Sequence, residues 1–313
     1  MSSHPRSSSL RAHALAVAAS IALVAGIARA EAPTFPSPEA ALEAFRTAVA
    51  TDDEGEALIA LFGSAHRDEL IGGDPAESRM VVASLRAVAE VALRFDADGE
   101  ERGVLRVGAA GWPMPIPLVR DGEVWRFDTA AGLEEIRDRR VGQHELAAIE
   151  LMREYVEAQV EYATSDRDDD EVLEYAQRLL SESGTRNGLY WNDESGDDPS
   201  PLDEFVARAD AQGYRQHQRL GEPYRGYFFR VLTKQGPTPP GGAYDYVING
   251  NMIAGFALIG WPAEYGNSGI MTFLVNQQGR VYQKDLGSDT TQLVETIEAY
   301  DPDESWTLVA DDE

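Results

Sequence analysis

QHELAAIELMREYVEAQVEYAT, residues 143–164, is the stretch that decides the fold. Apolar residues recur in it every three or four positions, which is the spacing of one face of a helix. That stripe comprises Leu146, Ile149, Met152, Val156, Val160 and Ala163, and Leu151, Tyr155 and Tyr162 widen it. Because so broad an apolar face is typical of a helix covered on more than one side, we predict a long buried helix here, packed on a β-sheet.

The residues after this helix predict the sheet. An acidic loop, a short helix over Leu173–Leu180, a polar loop and a second helix over Leu202–Ala211 come first. Four apolar runs then predict strands, at residues 227–232, 253–259, 270–275 and 281–282. Gln278-Gly279 predicts the hairpin turn between the last two strands, and a helix near residues 290–300 closes the chain.

The residues before the long helix predict a separate α+β unit. Ser37-Pro38-Glu39 combines a capping hydroxyl, a proline at the first helical position and an acid for the helix dipole. Two further helices are predicted, over Glu56–Phe62 and after Pro75. Short strands then follow near residues 93–95, 104–107, 116–118 and 124–127. Helices followed by an antiparallel meander form an α+β domain, so we predict domains over residues 31–140 and 141–313.

The first thirty residues have the pattern of an export signal. Arg6, Arg11 and His13 precede an apolar run, Ala14–Ile27, which ends at the small-x-small site Ala28-Arg29-Ala30. The run is shorter than the ~20 residues that a bilayer span requires. We therefore predict a signal peptide over residues 1–30 and release of a soluble chain into the periplasm or the medium. The alternative is that this segment is not cleaved and stays attached as a membrane anchor.

Charge and cysteine content exclude several classes of protein. The net charge is −27 at pH 7, from 27 basic and 54 acidic residues, and there is no cysteine. The negative electrostatic field of such a chain repels nucleic-acid phosphates and anionic lipid headgroups, and it attracts divalent cations. Nucleic-acid binding and stable membrane insertion after signal cleavage are therefore not expected. Without disulfides, stability depends on burial of the core.

No catalytic residue can be assigned from the sequence. The chain after the signal has three histidines, His66, His144 and His217, without metal-ligand spacing. The motifs of serine hydrolases, zinc proteases and phosphate-binding loops are absent from the sequence. A carboxylate-dependent hydrolase of cell wall or polysaccharide stays open as an alternative, with an acid pair near Trp191 or Trp261.

One loop has the composition of a calcium site. Asp166, Asp168 and Asp170 alternate, and Glu174 occupies the ninth position counted from Asp166. Calcium binds about six to eight oxygens, which alternating carboxylates in a turn can supply. Glu171 stands at position six, where an EF-hand loop has glycine, and Gln177 stands at position twelve in place of a bidentate glutamate. Calcium is the one cofactor suggested, and a solvated acidic loop is the alternative.

Five aromatic residues are candidate contacts for a ligand or a partner. Trp112 begins a segment with alternating prolines, Trp112-Pro113-Met114-Pro115-Ile116-Pro117, which is suited to an edge strand. The other four lie in polar or glycine-rich loops and short strands: Trp191, Tyr244, Trp261 and Tyr265. Trp191 is followed by a second acidic cluster, Asp193, Glu194, Asp197 and Asp198. Packing in the core is the alternative for each aromatic residue.

Several separated motifs resemble one family of exported bacterial proteins, domain-of-unknown-function family 2950. They are residues 112–119, 125–132, 241–246 and 269–273, and the resemblance extends over essentially the whole chain after the signal. The resemblance implies export but no established activity.

Two further resemblances concern folds. The hairpin Gly122–Phe127 resembles the last hairpin of the nuclear-transport-factor-2 fold, in which helices pack on a curved sheet to form a cone. The long helix, the strand at Tyr227 and the Gly-x-x-Thr-Phe…Gly-x-Val-Tyr pattern (residues 269–273 and 279–282) resemble the globular part of type IV pilins and type II secretion pseudopilins. The C-terminal domain is thus predicted to be pilin-like, although in this chain a folded domain precedes the helix where pilins have a membrane span.

The sequence therefore predicts an exported, non-catalytic envelope protein that acts through contacts with another envelope protein. A calcium-binding or calcium-stabilised periplasmic module is the first alternative, and the hydrolase is the second.

Overall fold

The computed structural model describes residues 32–72, 75–191, 199–203 and 223–310. The chain is an α+β protein, which confirms the predicted class. Within the described ranges, no helix is both long enough and apolar enough to cross a bilayer.

The N-terminal half consists of helices followed by an antiparallel sheet. The helices are α1 (Pro38–Ala50), α2 (Glu56–Phe62), α3 (Arg67–Ile71) and α4 (Pro75–Val91), and the strands are β1 (Leu93–Ala97), β2 (Arg102–Val107), β3 (Trp112–Pro113), β4 (Leu118–Asp121) and β5 (Val124–Phe127). The sheet order is β1-β2-β4-β5, with β3 beside β2. As the sequence predicts, Ser37 caps α1 by accepting from Ala40 N at 3.3 Å. Phe35 covers the β5 edge through two 2.7 Å backbone bonds with Trp125.

The long helix, α5 (Thr129–Tyr162, 34 residues), starts earlier than the prediction near Gln143. Its first turn is held by the Thr129 hydroxyl, which donates to Phe62 O at 2.5 Å. Gly132 lets its backbone approach the sheet closely, because a Cβ there would lie 2.9 Å from Ile116 Cα. The sequence does not predict this start, because both contacts join residues that are far apart in the chain. The apolar spacing before Gln143 is also weak. The helix passes through the predicted boundary near Arg140 without a break.

The buried face of α5 differs from the predicted stripe. From residue 140 onward the buried positions are Arg140, Val141, His144, Ala148, Leu151, Met152, Tyr155, Ala158, Gln159 and Tyr162. Leu146 is 65% exposed and Val160 is 58% exposed, so the prediction that they are buried is wrong. Leu151, Tyr155 and Tyr162 are buried as predicted. Gln159, which is not in the predicted stripe, is buried with them because its polar atoms find partners there: Gln159 Nε2 donates to Tyr155 Oη at 2.9 Å.

Gln159 also explains why Leu173–Leu180 is not the predicted helix. Its amide pairs with the backbone of Ala176, donating to Ala176 O and accepting from Ala176 N, both at 2.8 Å. Tyr175 N donates to Met252 O at 2.8 Å, and Tyr190 N donates to Leu179 O at 2.9 Å. These long-range bonds hold the segment extended. The predicted helix over Leu202–Ala211 lies largely outside the described residues.

The C-terminal half places a second antiparallel sheet against α5. Its elements are β6 (Tyr227–Leu232), β7 (Lys234–Gln235), β8 (Tyr244–Asp245), β9 (Val247–Ile248), β10 (Asn251–Met252), β11 (Ala257–Pro262), β12 (Met271–Asn276), β13 (Tyr282–Asp285), α6 (Thr290–Thr296) and β14 (Thr307–Leu308). The main sheet has the order β14-β13-β12-β11-β6. The predicted strand over residues 227–232 and the turn at Gln278-Gly279 are confirmed.

The buried apolar residues in the described part of the chain form two clusters. One joins α1, α2 and the first sheet around Phe45 and Leu118, and the other joins α5 and the second sheet around Met152 and Phe273. Ile136, in the first part of α5, packs against the first cluster. The long helix therefore contributes to both halves of the molecule.

Candidate functional site

A cleft of about 340 Å³ opens in the N-terminal half, which is within the size range of small-molecule sites. Helices α2, α3 and α4, strand β3 with the residues after it, and the first part of α5 line it. Its walls are largely apolar and include Leu58, Ile59, Phe62, Leu70, Ile71, Val81, Val82, Leu85, Val107, Met114, Ile116 and Ile136. Trp112, Pro113 and Pro115 also line the cleft, together with Gly55 and the polar residues Glu54, Glu77, Ser78, Arg139, Arg140 and Gln143. The residues after the predicted contact Trp112 thus form a wall of the cleft.

The proline segment is held at its place by a few backbone bonds. Met114 N donates to Leu105 O at 2.8 Å, and Arg139 Nη1 donates to Pro113 O at 3.2 Å. Proline has no N–H, so alternating prolines keep the segment extended without further donors to satisfy. Trp112 is 66% exposed and Val81, also in the lining, is 52% exposed. Large apolar side chains therefore remain accessible at the cleft.

Arg140 brings a buried charge to this apolar cleft. The residue is 8% exposed. Its Nη2 donates to Glu69 O at 2.9 Å and Leu70 O at 3.3 Å, and its Nη1 donates to Asn267 Oδ1 at 3.4 Å. Burial lowers the pKa of the guanidinium, while the nearby charge of Glu77 acts in the opposite direction. Among the described residues, no carboxylate forms an ion pair with Arg140.

His144 and Glu77 form a buried pair beside Arg140. The two atoms His144 Nε2 and Glu77 Oε1 are 2.8 Å apart, and His144 Nδ1 lies 2.8 Å from Ser268 O. A carbonyl oxygen only accepts, so Nδ1 carries a hydrogen and the contact to Glu77 holds one shared proton. Gly226, at φ 72°, leaves room for the ring, because a Cβ there would overlap Nδ1. The imidazole thereby joins α4, α5 and the loop before β12.

The predicted calcium loop brings its three aspartates together. Carboxylate oxygens of Asp166, Asp168 and Asp170 lie within 4.8 Å of one another, and all three residues are exposed. Asp166 Oδ2 accepts from Glu171 N at 2.8 Å, and Asp166 Oδ1 accepts from Asp169 N at 2.9 Å. Glu171 has φ 69°, the left-handed conformation that glycine provides at position six of an EF-hand loop.

The pKa values of Asp166 and Asp168 are shifted in opposite directions. Backbone N–H groups, that of Glu171 first, lower the pKa of Asp166. Desolvation, followed by the charges of Asp170 and Asp166, raises the pKa of Asp168. Three carboxylates this close repel one another, and a cation would relieve that repulsion.

Glu174 has a different role in the structure from its three predicted co-ligands. Its Oε2 accepts from Met252 N at 2.9 Å, and it lies outside the group whose oxygens converge. Desolvation, the largest cause, raises the pKa of Glu174. Asp170 Oδ2 accepts from Asn251 Nδ2 at 2.6 Å, so the loop is attached to the β9–β10 hairpin.

The other predicted contact residues each contact different neighbours. Trp191 is 7% exposed, with the guanidinium of Arg167 5.2 Å from its ring centroid. Trp261 lies 5.8 Å from the ring of Phe228. Tyr244 packs against Tyr246 at 5.5 Å, and Tyr265, 38% exposed, donates to Asp285 Oδ2 at 3.3 Å. The second acidic cluster, Asp193 to Asp198, lies outside the described residues.

Comparison with protein families supplies the classification. Residues 32–309 match the model of a family described as protein of unknown function, DUF2950. The chain belongs to the DUF2950 family. No curated protein and no solved structure matches it. The predicted family membership is therefore confirmed.

Sequence reasoning missed the polar group of this DUF2950 protein, Glu77, Arg140 and His144. Glu77 and His144 are 67 positions apart in sequence, so no local pattern connects them. The predicted domain boundary falls near Arg139-Arg140, and no pattern in the sequence indicates that Arg140 is buried.

Proposed function

We propose that this DUF2950 chain is an exported, non-catalytic binding protein of the cell envelope, and that the cleft beside Trp112 is its binding site. The observation that supports this most is an accessible cavity of about 340 Å³ whose walls are largely apolar. Pockets of this kind, with a few polar groups, are the usual form of a ligand site. Export to the periplasm or the medium is proposed from the signal pattern of residues 1–30. We also propose that the chain after the signal consists of two domains, residues 31–140 and 141–313.

A titration with Nile red, a neutral apolar dye, tests the cleft. We expect a saturable rise in fluorescence with one dye per mature chain, because transfer of the dye from water to apolar walls is favourable. Fluorescence that rises without saturation, or stays at the level of free dye, would contradict the proposal. The neutral dye makes this test independent of any charge preference.

The predicted envelope-protein partner is proposed to use the outer face of α5. Leu146 and Val160 are the exposed apolar residues of that face. Ile149 and Val156, partly buried, lie between them at helical spacing. Cross-linking in cells at Leu146, with the exposed Glu123 in the turn between β4 and β5 as the control position, tests the surface. A partner captured equally from both positions, or from neither, would count against it.

Calcium binding by the acidic loop is the second candidate function. It is favoured by the convergence of Asp166, Asp168 and Asp170 together with the left-handed conformation of Glu171. A non-glycine residue in that conformation costs about 1–3 kcal/mol, and such strain is frequent at ligand sites. Binding would fix the end of α5 to the β9–β10 hairpin through Asp170. Glu174 is proposed as a ligand only after it releases Met252 N.

Thermal melts of chelator-treated protein test the calcium site. With calcium at ~100-fold excess over its Kd, we expect the melting temperature to rise by several degrees. Asp168→Asn should abolish this rise, whereas Asp98→Asn, in the exposed β1–β2 turn, should retain it. Without calcium, Asp168→Asn should melt no lower than the natural chain, because it removes repulsion. An equal shift with magnesium would indicate relief of charge repulsion rather than a calcium site.

A carboxylate-dependent hydrolase finds less support from the geometry. Trp191 is nearly buried. Each ring already packs against other side chains, Trp191 against Arg167 and Trp261 against Phe228 and Arg230. The carboxylate of Glu264, the acid that follows Trp261 in the sequence, already accepts a hydrogen bond from Asn267 Nδ2 at 2.7 Å.

A further inference from the structure

We propose that the natural ligand of the cleft is an anionic amphiphile, an apolar chain with a carboxylate or similar head group that pairs with Arg140. This inference rests on the proposed function and specifies the chemistry of the ligand. The head group would lie against the buried guanidinium, and the chain would lie along the apolar walls.

The first argument is the incomplete pairing of a buried charge. Arg140 is more than nine-tenths buried, and the acceptors around it are two backbone carbonyls and one amide oxygen, all neutral. Buried charges in proteins are normally paired with an opposite charge, because their desolvation is costly. A guanidinium has five N–H donors, and these three bonds use three of them. Donor capacity therefore remains for an acidic group in the cleft.

The second argument is that neighbouring charges do not cancel this one. Glu77 Oε1 is engaged with His144 Nε2, and a histidine–carboxylate pair that shares one proton has no net charge. Arg139, the other cation in the lining, donates to Glu135 at 2.7 Å. Glu54 also lines the cleft, but its side chain is exposed to solvent, which screens its charge. At the buried wall, Arg140 thus adds one positive charge to a chain whose net charge is −27.

The third argument is the apolar character of the remaining walls. Leu58, Phe62, Leu85 and Ile116 offer neither donors nor acceptors to a polar ligand. They favour a hydrocarbon chain, for which each buried methylene strengthens binding roughly fourfold. A small polar anion such as acetate would leave these walls without contacts. An acyl chain with an acid head satisfies both parts of the site.

Displacement of Nile red from the mature protein tests the inference. At neutral pH, decanoate should displace the dye with at least tenfold higher affinity than decanol, which has the same chain but no charge. Octanoate should bind more weakly than decanoate by roughly an order of magnitude, from two methylenes at fourfold each. Equal displacement by decanoate and decanol would overturn the inference and leave the cleft as an apolar site. Absence of Nile red binding would instead overturn the proposed function itself.

Two arginine variants of α5 assign the preference to one side chain. Arg140→Met should reduce the decanoate-to-decanol ratio to near one while Nile red still binds. Arg137→Met, at an exposed position of the same helix outside the cleft lining, is the matched control and should keep the ratio of the natural chain. Arg140→Lys keeps the charge and should retain part of the preference, which guards against misfolding of the methionine variant. A preference that persists in Arg140→Met would refute the role of Arg140.

Discussion

Replacement of His144 by alanine is expected to lower the free energy of unfolding by about 3–5 kcal/mol, the range for removing one partner of a buried ion pair. The imidazole is 2% exposed and hydrogen-bonds to Glu77 and to Ser268 O. Without it, the buried carboxylate of Glu77 loses this partner, and Ser268 O loses its donor. Because these residues come from both halves of the molecule, their mutual packing should weaken as well.

Urea unfolding followed by circular dichroism measures this effect, with His66→Ala as the matched control. His66 ends a short 3-10 turn and is only partly buried, so its replacement should change stability by no more than about 0.5 kcal/mol. A loss below about 1 kcal/mol for His144→Ala would show that the buried pair is dispensable. Glu77→Gln in combination with His144→Ala gives the coupling energy of the pair.

Replacement of Met152 by alanine is expected to destabilise the protein by about 2–5 kcal/mol, the range for truncating a buried methionine. Met152 is fully buried between α5 and the second sheet, where its methyl group lies against Gly260. The matched control is Leu146→Ala on the same helix, which is 65% exposed and should change stability by about 0.5 kcal/mol or less.

The same pair of variants separates the predicted helix stripe from the observed one. The sequence pattern places Leu146 and Met152 on one buried face, whereas the structure buries only Met152. Equal losses in the two variants, measured by urea unfolding, would support the predicted stripe. They would contradict the packing of α5 described above.

Elements with local signals were predictable from the sequence. The bounds of α2 and β6 follow from apolar spacing, and the turn at Gln278-Gly279 follows from glycine, which adopts φ 72° there. The start of α5 and the extended segment before Leu180 were not predictable. They depend on Thr129 bonding to Phe62 and on Gln159 bonding to Ala176, contacts between residues far apart in the chain.

The candidate sites divide in the same way. Alternating carboxylates in one loop predicted the convergence of Asp166, Asp168 and Asp170, and alternating prolines drew attention to Trp112. The bond between Glu174 and Met252 N spans 78 positions, and the Arg140–Glu69 bond spans 71. Only the fold brings such residues together, so the polar wall of the cleft could not be read from any single stretch of sequence.

The most direct test of the cleft as the binding site is the Nile red titration repeated on two valine variants of one helix. Val81 lines the cleft and Val91, at the end of α4, does not, and both are more than half exposed, so glutamate at either position should be tolerated in the fold. Val81→Glu places a charge against the apolar walls and should weaken dye binding roughly tenfold or more. Val91→Glu should bind as the natural chain does. Equal affinities in the two variants would contradict the proposal that the cleft beside Trp112 is the binding site, because the dye would then bind elsewhere.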